Sequence, residues 1–237
     1  MPLSLIDLEK GRIGDSFFSR KNSVFRSHCE GRDVVVKVYA DNRGDSALKE
    51  YSVLETCRKK DVAAPIPLRF EDTAIMMEYV EGLTLGEFLD TVWHEGNGSR
   101  NTHRNSVEDI AVSLGDWLAG FHAAFSGSLS RGDANIRNFI IGRKGVVGID
   151  FEESGESEVI DDLGQACSSI LSMHPKFSQE KADFCRCMVK AYSSKAREVE
   201  SIHLSDAIAR ALEYYAEFRS DGDELIRKAA EIRRNGL

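Results

Sequence analysis

In the stretch Arg131-Gly132-Asp133-Ala134-Asn135-Ile136-Arg137-Asn138-Phe139-Ile140-Ile141, two oxygen-bearing side chains, Asp133 and Asn138, stand five residues apart in a turn that leads into an apolar strand. Gly148-Ile149-Asp150-Phe151-Glu152 follows, with Asp150 closing a second apolar strand after a Gly142–Gly145 hairpin. Such a hairpin sets Asn138 and Asp150 at neighbouring strand ends, where two oxygen ligands beside phosphate oxygens suit Mg²⁺. Asp133, one turn earlier, is placed to accept a proton from an attacking hydroxyl. Upstream, Lys37 stands inside the apolar run Val34-Val35-Val36-Lys37-Val38-Tyr39. A buried ammonium is costly without a partner. Glu50, on the helix that follows, is the natural one, with Glu55 as the alternative. A lysine so held can point at nucleotide phosphates. Each signal has a plain reading on its own: Asp-x-x-x-x-Asn as an Asx-capped turn, Lys37 as a snorkelling edge-strand lysine. It is their combination that argues for a nucleotide site.

The elements that must carry these groups change character along the chain. The first third reads as strands: Arg12 to Phe18, then Ser23 to His28 and Asp33 to Tyr39 around the turn Cys29-Glu30-Gly31-Arg32. The dense β-branched run around Lys37 suits a central strand. A helix from Ser46 to Lys60 follows, with Leu48, Tyr51 and Leu54 on one side, then strands at Leu68–Glu71 and Ala74–Tyr79. Beyond Gly82 the pattern turns helical. Residues 94–106 read as a mobile loop, and Val107, Ile110, Leu114, Leu118, Phe121 and Phe125 mark a long buried helix. After the 131–151 segment, residues 161–237 hold three or four amphipathic helices. The expectation is an α+β, two-lobed fold: residues 1–80 as an antiparallel β-sheet lobe with one helix, residues 81–237 as a mostly helical lobe. Two-lobed architectures commonly bind ligands in the cleft between lobes.

Composition narrows the class. The 237 residues are 42% hydrophobic and 30% charged, with 31 Lys+Arg against 39 Asp+Glu and a formal net charge of -8. That suffices for a hydrophobic core and excludes disorder as the main state. The apolar runs are too short for a spanning helix. The start of the chain, with Asp7 and Glu9, has no signal-peptide core. The five cysteines, Cys29, Cys57, Cys167, Cys185 and Cys187, are odd in number and lack a disulfide framework, which implies free thiols in the cytoplasm. The acidic balance gives no strong nucleic-acid signal.

Val35-Val36-Lys37, Glu50, Met77-Glu78-Tyr79-Val80-Glu81-Gly82, Asp133…Asn138 and Asp150-Phe151-Glu152 occur in the order of the protein-kinase-like superfamily, and about residues 10–165 resemble it. The resemblance implies that Asp133 is the catalytic base and that Asn138 and Asp150 hold Mg²⁺. It implies that Lys37 binds the α- and β-phosphates of ATP and that Glu50 orients it. Met77 resembles the residue beside the adenine, the backbone of Glu78 and Val80 would bond the adenine edge, and Val35, Ile140 and Ile149 would line its faces. By the same resemblance Asp162 would brace the backbone near Arg131–Gly132.

The departures are specific. Ser19-Arg20-Lys21-Asn22-Ser23 replaces the Gly-rich phosphate loop, so phosphate cover falls to a hydroxyl such as that of Ser23, an amide or a basic side chain. Arg131 replaces the catalytic-loop histidine, and Glu152 the glycine of the metal motif. Ten residues separate Phe151 from Asp162, without an Ala-Pro-Glu sequence, so no long activation segment fits. The shortened form resembles the small kinase of the KEOPS tRNA-modification complex, the RIO kinases, lipopolysaccharide-core sugar kinases and aminoglycoside phosphotransferases. This implies an atypical serine/threonine protein kinase or ATPase, acting with a protein partner or protein substrate and transferring the γ-phosphate of Mg-ATP to a hydroxyl. The alternatives are a kinase for a small-molecule acceptor (a sugar, an aminoglycoside or a lipopolysaccharide core) and a non-catalytic ATP-binding scaffold. Glu152, Glu153 and Asp161 are candidate acidic groups near the γ-phosphate. His122 is expected to be packed within its helix, His94 and His103 to be solvated, and Met76-Met77 to form core wall.

Overall fold

The computed structural model describes residues 16–17, 19, 21–40, 43–94, 100–143, 145–196 and 199–237, with 100–106 as backbone alone. Of the strand expected over Arg12–Phe18, Ser16–Phe17 is seen, and the rest lies outside the described residues, as do Arg20 and the side chain of His103. The chain divides into two compact units: residues up to Glu81 with Ile149–Ser154, and Gly82–Gly148 with Gly155–Leu237.

The first unit is a five-stranded antiparallel sheet with one helix: β1 (Ser16–Phe17), β2 (Asn22–Cys29), β3 (Arg32–Tyr39), α1 (Gly44–Lys59), β4 (Pro67–Glu71) and β5 (Ala74–Glu78). The strand order is β1-β2-β3-β5-β4, so β3 is central, as its Val-rich sequence requires. The β2–β3 turn is tighter than the sequence suggests. Only Glu30 and Gly31 leave the ladder, both at positive φ (51° and 78°), which matches the twist of a two-residue hairpin. Alternation then sorts the faces. Phe25, Val34, Val36, Ala74 and Met76 form a core on one face, while Val35, Lys37 and Met77 stand on the other. Met76 and Met77 are both buried, each on its own face of the sheet.

Helix α1 departs from the expected stripe. It buries Ala47, Glu50, Val53, Leu54 and Cys57, whereas Leu48 is 52% exposed. The face against the sheet is the one that carries Glu50, flanked by the small residues Ala47 and Cys57, and this turns Leu48 outward.

The second unit comprises β6 (Leu83–Thr84), α2 (Leu85–His94), α3 (Arg100–Ala124), β7 (Leu129–Ser130), a 3₁₀ turn (Ile136–Asn138), β8 (Phe139–Gly142), β9 (Gly145–Gly148), β10 (Gly155–Glu156), α4 (Val159–Leu171), α5 (Gln179–Lys195), α6 (Ser201–Ala216) and α7 (Gly222–Asn235). The expected loop over 94–106 is corrected in part: residues 100–106 belong to α3, and residues 95–99 lie outside the described residues. Gly96 and Gly98 precede Arg100, and no Gly or Pro follows it until Gly115, so extending an existing helix costs little. Helix α3 packs on α5, and α6 on both α4 and α7. Gly115 permits the first contact: a Cβ there would lie 2.2 Å from the Met188 carbonyl oxygen. The β8–β9 hairpin pairs Phe139 with Gly148 and Gly142 with Gly145, and Trp117 packs edge-on against Phe139 beneath it. No helix among the described residues is long and apolar enough to cross a membrane.

Candidate active site

In the first unit the site is built around Lys37. Its side chain is 6% exposed, and its Nζ lies 2.8 Å from Glu50 Oε2, 2.6 Å from Asp150 Oδ1 and 3.1 Å from Glu152 Oε2. Burial alone would pull the ammonium's pKa down. The carboxylates of Glu50, Asp150 and Glu152 outweigh it and hold the group well above its ordinary value, so it is charged. Glu50, almost fully buried, is tied further: its Oε1 accepts the Phe151 N–H at 3.1 Å, and the Tyr39 hydroxyl donates to its Oε2. The alternative partner, Glu55, faces Arg58 and Lys59 on the helix surface instead. Asp150 is the open member, its side chain 43% exposed, on a backbone at φ 62°, a left-handed conformation that aspartate tolerates better than most residues. Oxygens of Glu50, Asp150 and Glu152 all lie within 4.8 Å of one another, an all-oxygen set of the kind hard cations such as Mg²⁺ prefer.

Four further residues of this unit join the cluster. Glu152, in the place of a glycine, is buried and accepts from Asn22 Nδ2 at 2.5 Å and Arg43 Nη1 at 3.4 Å. The exposed Glu153 pairs with Lys21 at 2.7 Å and lies 3.8 Å from Arg43 Nη2. The hydrogen bond between them raises the Lys21 pKa and lowers that of Glu153. The sheet register puts Ser23 opposite Val38, on the face of Phe25, while Asn22 shares the face of Lys37. Sequence reasoning named the Ser19–Ser23 stretch, with a hydroxyl, an amide or a basic side chain as phosphate cover, and singled out Ser23 within it; it missed Arg43. The one available signal was Glu152 itself, a charged residue where the motif has glycine.

At the Glu78 end of β5, Val35 pairs with Met77, the Glu78 N–H donates to Ile66 O at 2.9 Å, and the Tyr79 N–H to Asp33 O at 3.3 Å. The Glu78 N–H is thus taken up inside the first unit. Ile149 is half-buried.

In the second unit the loop from Arg131 to Asn138 is held from several sides. Asn138 Nδ2 donates to Asp133 Oδ2 at 2.9 Å and to Asp133 O at 3.2 Å. The Arg131 guanidinium, fully buried, donates to the carbonyls of Asp133 and of Asn138 (3.1 Å) and lies over the Phe139 ring. It thus ties together the two ends of the Asp133–Asn138 turn. Asp162, also fully buried, accepts the backbone N–H groups of Arg131 (2.6 Å) and Gly132 (3.2 Å), the Ser130 hydroxyl (2.8 Å) and His122 Nε2 (2.9 Å). His122 Nδ1 lies 3.0 Å from the Tyr192 hydroxyl. His122 is thus an internal polar link, and His94 is an exposed partner of Asp90. Asn135 caps the 3₁₀ turn by accepting the Arg137 N–H at 3.1 Å. Ile140 pairs with Thr84 and Val147. Of the acids expected to enrich the γ-phosphate region, Asp161 is paired with Arg210 at 2.6 Å, and Glu152 and Glu153 with the cations above.

No known protein-family profile matches the chain. No curated protein matches it. Solved structures do. An amicoumacin kinase, hAmiN, in complex with AMP-PNP, Ca²⁺ and Ami superposes with a TM-score of 0.61 at 11% identity, over 92% of this chain and 87% of that one. WaaP in complex with acyl carrier protein gives 0.59 at 13% identity, over 96% and 92%. A candidate aminoglycoside phosphotransferase from Ralstonia eutropha gives 0.56 at 13% identity, over 97% and 93%. The chain has the α+β protein-kinase-like fold, with an antiparallel sheet lobe and a helical lobe, and two of these neighbours are named as a kinase and a candidate phosphotransferase.

Proposed function

We propose that the chain is an ATP-dependent phosphotransferase. The carrying observation is the buried Lys37–Glu50 pair joined to Asp150, a charged ammonium fixed on a central strand with one open carboxylate beside it. In this reading Lys37 binds α- and β-phosphates. Val35, Met77, Ile140 and Ile149 contact the adenine, with the Glu78 carbonyl and Val80 N–H at its edge. Asn138 and Asp150 are the ligands for a divalent cation, Mg²⁺ by the hardness of their oxygens. That cation, when bound, offsets phosphate charge. Asp133 orients the acceptor hydroxyl and takes its proton as the acceptor oxygen bonds to the γ-phosphorus and the bond to the β,γ-bridging oxygen breaks, releasing ADP.

For the acceptor, two features favour a small hydroxyl-bearing molecule over a protein side chain. Residues 152–158 are consumed by a turn, the two-residue strand β10 paired with β7, and the approach to α4, leaving no segment to dock a peptide. Two of the structural neighbours are a kinase and a candidate phosphotransferase named for antibiotics. The serine/threonine protein kinase or ATPase reading predicts a different fate for the phosphate.

The test follows label from γ-³²P-ATP in wild type and Asp133→Ala, alone and with sugar and aminoglycoside panels. Label on a small molecule, reduced about 10²- to 10⁴-fold in the variant with ATP binding retained, is the expected result. Label on the protein or released as phosphate would replace the small-molecule acceptor with the protein kinase or ATPase reading. Near-wild-type turnover in the variant would remove Asp133 from its role.

A further inference from the structure

Four donors of the first unit converge on two adjacent carboxylates. Glu152 is shared by Asn22, Lys37 and Arg43, and Glu153 by Lys21 and Arg43, at 2.5–3.8 Å. Lys21 and Asn22 come from the segment that enters β2, and Arg43 from the residue before α1. These donors bring three cations and an amide to one place, the kind of set that binds phosphate oxygens. Lys37, which the proposed function already assigns to phosphates, belongs to the same set.

The charge count makes a purely structural brace an inefficient use of these groups. Lys37 already has Glu50 and Asp150, so placing Glu152 3.1 Å away adds a third carboxylate to one ammonium. Arg43 and Lys21 then serve to hold the surplus acid. Glu153 and Lys21 are also 45% and 59% exposed, where an ion pair contributes little to stability.

The geometry points to Lys21, Asn22 and Arg43 as the polyphosphate-binding residues that stand in for the missing Gly-rich loop, with Glu152 and Glu153 occupying their donors until a polyphosphate displaces them. The inference deepens the proposed function and rests on it for the nucleotide. The two carboxylates share Arg43, one through Nη1 and the other through Nη2, as two phosphoryl groups of a bound nucleotide would. Displacement frees Glu152 and Glu153 from their cations at the moment the phosphates arrive, so phosphate binding works against a standing internal competitor. Neutralising either acid therefore strengthens polyphosphate binding, while removing Lys21 or Arg43 weakens it and leaves the nucleoside moiety untouched.

The experiment measures binding of adenosine, ATP and inorganic tripolyphosphate by calorimetry to wild type, Lys21→Gln, Arg43→Gln and Glu153→Gln, with the thermal midpoint of each recorded. Wild type is expected to bind ATP more tightly than adenosine. Lys21→Gln and Arg43→Gln should lose about ten- to a hundredfold in affinity for ATP and tripolyphosphate with adenosine unchanged. Glu153→Gln, whose side chain is half exposed, should bind both polyphosphates more tightly. Lower thermal midpoints with an unchanged ratio of ATP to adenosine affinity would show a structural brace and overturn the inference, as would unchanged polyphosphate affinity in Glu153→Gln. If adenosine binds and ATP binds no tighter, the inference fails while the nucleotide reading stands. If tripolyphosphate binds with the expected variant pattern and adenosine does not bind, the polyphosphate site stands and the nucleotide reading fails. Binding of none of the three overturns both.

Discussion

Lys37 shows how a single side chain organises its surroundings. Three carboxylates lie within 3.1 Å of its ammonium, and two of them, Glu50 and Glu152, are buried. Replacing the lysine by an apolar residue of similar length leaves the buried Glu50 facing Asp150 and Glu152 without its ammonium, and leaves Glu152 with Arg43 as its remaining counter-charge. Breaking a buried pair by removing one partner costs about 3–5 kcal/mol. Lys37→Met is therefore expected to lower the unfolding free energy by that order in urea denaturation, before any effect on nucleotide binding is considered. Glu50→Gln should cost less, because Asp150 and Glu152 still face the ammonium and the amide can still meet the Phe151 N–H. Equal stability of wild type and Lys37→Met would show that the cluster is solvated well enough to make its pairing irrelevant.

At the scale of elements, the parts legible in the sequence are those set by local rules. The β2–β3 hairpin follows from two residues able to take positive φ between alternating runs, and the β8–β9 hairpin from Gly142 and Gly145 at its ends. Lys37 and Glu50 are thirteen residues apart on a strand and the next helix, close enough in sequence for their pairing to be anticipated. The misses need information that no local pattern carries. The buried face of α1 combines Glu50, which meets Lys37, with Val53 and Leu54, and leaves Leu48 outside. The start of α3 lies in a polar stretch where propensity is weak and continuation of the packed helix decides. Asn22 and Glu152 are 130 residues apart, and no spacing rule couples them. Gly115 belongs to this non-local class as well: its lack of a side chain has no meaning until Met188 of α5 is set against it. Adding a methyl group at a site where a Cβ would sit 2.2 Å from backbone oxygen forces α3 and α5 apart. Gly115→Ala is expected to destabilise by about 1–3 kcal/mol despite the better helix propensity of alanine. A stabilised variant, judged by its thermal midpoint, would mean that the two helices separate freely.

Across the whole molecule the surface charge is arranged as acids held by nearby cations, in both units. Asp33 is held below its ordinary range by hydrogen bonds to His28 and then Arg26, and Glu153 by Lys21. In the second unit, Asp206 and Glu213 are depressed chiefly by Arg233, and Asp221 strongly by Arg219 and then Lys176. Each of these groups has a folded pKa below the ordinary 3.8 of aspartate or 4.5 of glutamate, so the unfolded chain binds more protons as the pH falls through that range. Their contribution is fully present above about pH 5 and is lost progressively as the pH drops through the ordinary values and then through the depressed ones. The high pKa of Lys37 adds nothing in this window, because that group stays protonated in folded and unfolded chains alike until well into the alkaline range. Individually these exposed pairs are weak and salt-screened. Their sum is expected to appear as a thermal midpoint that is flat from pH 7 to about 5 and falls steadily from there to pH 3, with a shallower fall in 1 M NaCl. A midpoint unchanged down to pH 3 would mean that the folded and unfolded chains titrate alike, and that the paired acids contribute nothing to holding either unit together.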